Sequence, residues 1–133
     1  MVFNPEESID FHGFTGPFVQ YTHARIKSIL RKEKLQQGIA ASTGLLKLEK
    51  EILVTLEQYP SVIIQAAKEL NPSAIAGYVF HVARIFNSFY AEHSITNAET
   101  EIKKQLRLQL AVMTSNVLKS GMQLLGIEVP ERM

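Results

Sequence analysis

The sequence has 133 residues, 14 basic and 13 acidic side chains, a net charge of +1 and no cysteine. That length suits one compact domain with a single core, and no apolar run approaches the roughly 20 residues needed to cross a bilayer. Without cysteine there is no disulfide, thiolate nucleophile or cysteine zinc site, and the acids Glu6, Glu7 and Asp10 stand where a secretory signal would be basic and then apolar, so the expectation is a cytoplasmic protein with no membrane partner.

Residues 1–16 contain Pro5, Gly13 and Gly16 and lack helical periodicity, which predicts an irregular lead-in. Pro17 suits the first turn of a helix, where a missing N–H is no loss. The spacing of Val19, Thr22, Ile26, Ile29 and Leu30 predicts a buried helical stripe running to about Glu33. Tyr21, Arg25, Ser28 and Lys32 form a row on the open side, with Gln20, Ala24, Lys27 and Arg31 in the next row. Between Pro17 and Lys34 five basic residues stand against the single acid Glu33, a local charge of +4 in a nearly neutral chain.

Lys34 to Gly44 is polar and small and reads as a mobile loop. A second helix is expected from about Leu45 to Gln58, stopping before Pro60, and a third from about Ser61 to Leu70. Asn71 as N-cap and Pro72 at the first helical position predict the start of a fourth. Its stripe of Ile75, Val79, Val82, Phe86 and Phe89 points to deep burial, with His81, Arg84 and Ser88 opposite. After a break at about His93 to Asn97, Thr96 and Glu99 have the spacing of a capping box for the last helix. Ile102, Leu106, Leu110, Met113, Val117 and Leu124 mark one face of it, and Leu108 and Val112 lie beside them, so its middle is expected to be nearly surrounded. Gly126 ends it, and Ile127 to Met133 is expected to be an extended tail because Pro130 cannot continue a helix. With no β-type alternation and no repeat, the fold class is all-α, a bundle of about five helices.

Candidate chemistry is sparse. Gly38 and Gly44 lack the Lys-Ser or Lys-Thr of a phosphate-binding loop, and the four histidines are scattered without metal-ligand spacing. Glu49 with Glu57, and Glu99 with Glu101, read as solvated charges or helix-dipole partners. A self-contained enzyme is therefore the poorest reading. Single-stranded nucleic acid is gripped by aromatic rings that stack on bases and by cations that follow the phosphates. Tyr21 beside Arg25 and Ser28 fits that description, and it equally fits a tyrosine at the core edge with a wet hydroxyl. Of Phe89 and Tyr90, one is expected to face the core.

The segment Gly16-Pro17-Phe18-Val19-Gln20-Tyr21-Thr22-His23-Ala24-Arg25 and the tail Leu125-Gly126-Ile127 to Pro130-Glu131-Arg132-Met133 resemble the C-terminal anticodon-binding (DALR-type) domain of class I arginyl-tRNA synthetases. Phe3-Asn4-Pro5-Glu6-Glu7, Arg25-Ile26-Lys27-Ser28-Ile29-Leu30-Arg31-Lys32, Tyr59-Pro60-Ser61-Val62 and Phe86-Asn87-Ser88-Phe89-Tyr90 extend the likeness over essentially the whole chain. The resemblance implies a parent enzyme that joins arginine to its tRNA with ATP and magnesium. The His-Ile-Gly-His and Lys-Met-Ser-Lys-Ser signatures of its catalytic domain are missing from this sequence. The expectation is thus an excised, inactive domain without a cofactor of its own. Residues 1–16 would lead in from the catalytic domain, and 17–133 would form a monomeric module for the anticodon stem-loop of arginine tRNA. By motif position the resemblance implies contacts from Tyr21, Tyr90 and Met133, with Arg25 and its basic neighbours on the RNA backbone and Phe89 or His93 as substitutes for Tyr90. With the row read from the residues, the candidate set is Tyr21, Arg25, Ser28, Lys32, Phe89, Tyr90 and Met133. Thr22, where the family often has Ala, is expected to matter little. The alternative reading is a helical protein-interaction module.

Overall fold

The computed structural model describes residues 16–34, 45–127, 129 and 130. Among them are five α-helices and no strand: α1 Gly16–Lys32, α2 Lys47–Glu57, α3 Tyr59–Glu69, α4 Pro72–Glu92 and α5 Glu101–Leu124. Helices α4 and α5 pack together at the centre; α1 lies against both on one side, α2 against both on another, and α3 against α4. The order agrees with the all-α expectation. The lead-in over 1–15, the loop over 35–44 and Met133 lie outside the described residues, and Gly16 already belongs to α1. No helix among the described residues is long and apolar enough to cross a membrane.

Local chemistry accounts for the helix ends. Asn71 caps α4 as expected, its side chain accepting from the Ser73 N–H at 3.1 Å. A single residue, Gln58, separates α2 from α3, and Pro60 lies in the first turn of α3, where its ring is tolerated. Helix α3 therefore starts two residues earlier than expected. Helix α5 departs further, because its N-cap is Thr100, whose hydroxyl accepts from the Lys103 N–H at 3.1 Å, and the expected Thr96–Glu99 box does not form. Glu99 instead accepts from Arg107 at 2.8 Å. Gly126 ends α5 with φ +76°.

The core is built on α4, where Ile75, Val79, Val82, Phe86 and Phe89 are all buried as their spacing requires. Val79 meets Gly121 of α5, and a Cβ at that glycine would run into a Val79 methyl, so the two axes approach closely only because position 121 has no side chain. Tyr78 is buried and donates to the Thr55 carbonyl at 2.6 Å, and burial pushes its phenol up to about 12.

The middle of α5 is enclosed as expected, but only part of the expected face is buried. Leu106, Leu108, Leu110 and Leu118 are buried, whereas Ile102, Met113 and Leu124 are exposed. Arg107, Gln105, Thr114 and Ser115 take inward positions, each polar side chain finding a partner. Arg107 is the largest side chain to be wholly buried. Its guanidinium donates to Glu49 at 2.9 Å, to the Ser94 carbonyl at 2.7 Å and to Glu99 at 2.8 Å. Glu49 also accepts from Lys103 at 2.7 Å and from the Leu46 N–H at 2.8 Å. Glu49 is therefore no solvated charge, and Glu99 is tied down although it lies at the surface. Both carboxylates turn to Arg107, a buried cation on a position that the polar–apolar pattern assigns to solvent.

Burial pushes the Glu49 carboxyl up, and hydrogen bonds from Lys103, Leu46 and Arg107 outweigh it, leaving its pKa below the ordinary value. Its contribution is complete above the unfolded carboxylate pKa of about 4.3 and is lost as pH falls through the lower folded value. Urea unfolding midpoints are expected to drop on acidification below that pKa, and Glu49→Gln should start lower and fall less steeply. Arg107→Ala removes one of the two cations from the buried Glu49 and empties the space of a wholly buried side chain, and is expected to cost about 3–5 kcal/mol in the same measurement.

Candidate nucleic-acid interface

Tyr21, Arg25, Ser28 and Lys32 recur every three or four residues, which at 3.6 residues per turn places them along one side of α1. On α4 the same periodicity aligns Ala83, Asn87 and Tyr90 along the side facing α1. Where the two helices lie together, the α1 row and Tyr90 of α4 border an open groove of about 490 Å³, whose lining also includes Arg31. Thr96, from the segment between α4 and α5, also lines it. Ala24 and Ile29 are buried beneath it, so its base is apolar and its rim basic.

Arg25 occupies the middle. Its guanidinium carbon stands 4.9 Å from the centre of the Tyr21 ring and 5.3 Å from that of Tyr90, within the range of cation–π attraction to both. One terminal nitrogen donates to the Asn87 carbonyl oxygen at 2.6 Å and the other to the Tyr21 hydroxyl at 3.1 Å. Tyr90 stacks against Phe86 at 6.3 Å with 19° between planes, which supports the ring from the core side. Tyr21 is 48% exposed and Tyr90 37%. Two partly open rings thus flank a cation whose position is set by hydrogen bonds.

The remaining candidates divide clearly. Phe89 has no exposed surface. Successive helical residues point about 100° apart, so with Tyr90 facing the groove, Phe89 faces the interior. It is a core residue and not part of this surface. His93 is partly buried with its ring 5.7 Å from that of Phe89. Ser28 and Lys32 lie on the groove, with Lys32 exposed. At the end of α1, Glu33 forms an ion pair with Lys104 at 2.6 Å, and the hydrogen bond from Lys104 holds its carboxyl below the ordinary range. That pair takes the one acid of the segment toward α5.

Two residues that the sequence reading left out take part. Asn87 receives Arg25, and Thr22, expected to be of little consequence, is wholly buried and accepts from Asn87 at 2.7 Å. A hydroxyl on an otherwise apolar stripe was the available sign, since such a group needs a partner when buried. His23 is buried as well, and its Nδ1–H donates to the Pro130 carbonyl at 2.9 Å, fastening the tail to α1.

The sequence profile of the DALR anticodon binding domain matches residues 19–133. The chain belongs to that family. It is 48% identical over 133 residues to an arginine–tRNA ligase of Flavobacterium psychrophilum, covering all of this chain and 22% of that protein. It is 45% identical to that of Phocaeicola vulgatus, again over the whole chain and 23% of the relative. The solved structure of Thermus thermophilus arginyl-tRNA synthetase superposes on this DALR domain with a TM-score of 0.84 and 33% identity, over 98% of this chain and 23% of that one. The domain therefore spans less than a quarter of the length of these relatives.

The geometry separates groove from core experimentally. Tyr21→Ala is expected to change unfolding free energy by less than about 1 kcal/mol, as for other surface positions. Phe89→Ala should cost about 3–5 kcal/mol through the cavity it leaves. Chemical denaturation of both variants, with circular dichroism to confirm helicity, checks the contrast.

Proposed function

We propose that this DALR domain grips the anticodon arm of arginine tRNA, with the groove between α1 and α4 taking unpaired anticodon bases. The observation that carries this reading is the Tyr21–Arg25–Tyr90 arrangement, in which two open aromatic rings flank an anchored guanidinium. Bases splayed from a loop stack on such rings, each stack contributing roughly 1–3 kcal/mol, and the stacking tolerates any base. Arg31 and Lys32 on the rim follow the phosphates, and Ser28 offers a hydroxyl between them. Met133 at the end of the tail is a further base contact in this reading, carried by its motif position alone.

The parent protein in this proposal is a cytoplasmic, monomeric arginine–tRNA ligase. It would activate arginine with ATP and magnesium at a site outside these residues, and this domain would hold the far end of the tRNA. Among the described residues no group of three His, Asp or Glu side chains is placed to hold a metal. The domain's own contribution is to bind and orient RNA.

A titration of a labelled arginine anticodon stem-loop at several salt concentrations tests the proposal. Affinity should weaken with a slope of roughly −0.7 per phosphate held, Tyr21→Ala should lose about 1–3 kcal/mol, and replacing the central anticodon base should weaken binding. Binding indifferent to salt would favour a protein-interaction module instead, and equal affinity for the two loops would defeat selectivity for the arginine anticodon.

A further inference from the structure

An arginine at an open rim ordinarily samples many rotamers, yet Arg25 is met by a chain of hydrogen bonds that leads back into the core. The Thr22 hydroxyl donates to the Phe18 carbonyl at 2.9 Å, which leaves its oxygen to accept from the Asn87 amide at 2.7 Å. The same amide nitrogen donates to the Ala83 carbonyl at 2.8 Å. A backbone carbonyl only accepts and a guanidinium only donates, so the amide has one consistent orientation: nitrogen toward Thr22 and Ala83, oxygen toward Arg25. Every link in the relay has a forced polarity. Its inner end is fixed, because Thr22 is wholly buried on α1 and Ala83 on α4.

We infer that Thr22 and Asn87 are positioning residues, which fix the guanidinium of Arg25 between Tyr21 and Tyr90 so that it is already in place when RNA arrives. Without the relay, Arg25 keeps its charge but loses its orientation, and the ordering must then occur on binding, which weakens affinity. Neither residue needs to touch the ligand. The inference rests on the reading of the groove as a site for unpaired RNA bases, and it makes a threonine on the buried stripe a determinant of affinity.

The test uses the 133-residue chain with Thr22→Val, which keeps shape and burial but removes the hydroxyl, and Thr22→Ser, which restores it. Nitrogen-15 spectra of the Arg25 guanidinium should show slow rotation about its terminal bonds in the parent and in Thr22→Ser, and averaging in Thr22→Val. Affinity for the labelled stem-loop should fall about three- to tenfold in Thr22→Val and recover in Thr22→Ser. The salt slope should not change, since no charge is lost. Asn87→Ala offers a second route should Thr22→Val fold poorly, because it removes the acceptor that holds Arg25 without adding a charge: affinity should fall and the Arg25 spectrum should average, with the salt slope unchanged. Wild-type affinity and an unaltered Arg25 spectrum in a folded Thr22→Val, alongside weakened binding by Arg25→Ala, would overturn the relay and leave the groove reading standing. Unchanged RNA binding by Arg25→Ala would instead overturn the groove reading and the relay's role in it.

Discussion

The buried guanidinium of Arg107 is the constraint on which the other elements depend. It reaches three separate parts of the chain, namely the first turn of α2 through Glu49, the segment after α4 through the Ser94 carbonyl, and Glu99 just before α5. An ion removed from water is costly unless its partners are complete, so these elements are held in a common arrangement by the need to satisfy one side chain. The effect extends to the surface. Thr96, which lines the groove, lies two residues beyond the anchored Ser94, and its hydrogen bond helps to lower the Glu33 carboxyl at the end of α1. The groove is framed by an ion cluster that contributes no atom to it.

Near-neutral composition conceals how charge is used in this domain. Glu49 and Glu99 satisfy Arg107 and Lys103, and Glu33 pairs with Lys104, so acids are drawn toward the α5 side of the bundle. Arg25, Arg31 and Lys32 all border the groove. A near-zero total and a basic rim are therefore compatible, because Glu33, Glu49 and Glu99 are all engaged by side chains of α5. Tyr21 and Tyr90 add broad, stiff surface to that rim with little side-chain entropy to lose.

Much of this arrangement was legible from residue spacing. The α4 stripe is clear because five large apolar side chains recur at helical intervals and all face one core, and the Asn71-Pro72 start follows from cap chemistry alone. The row from Tyr21 to Lys32 was equally legible as the open side of α1. Helix α5 was less so, since a helix enclosed by α1, α2 and α4 has no single apolar face, and Arg107 and Gln105 occupy interior positions that a hydrophobic pattern assigns to solvent. Thr100 and Thr96 both precede the helix and both suit a cap; the decision between them lies in Glu99 turning to Arg107, a contact eight residues away along the chain. Thr22 and Asn87 were illegible as a pair because their 65-residue separation is closed only by the packing of α1 on α4.

Packing of α1 also has a bearing on how the chain reaches this state during synthesis. Its two helical neighbours are α4 and α5, and the buried His23 is fastened to Pro130, 107 residues downstream. Helix α1 is made before both of these partners and must wait for them. While the ribosome is still extending the chain, α2, α3 and α4 can pair locally, but the apolar side of α1 has nothing complete to lie on until α5 has emerged. Long-range closure of this kind slows folding and prolongs exposure of apolar surface. Both walls of the groove therefore come into register only after α5 has been made, so competence to receive a ligand follows the synthesis of a helix that lies outside the groove's two walls.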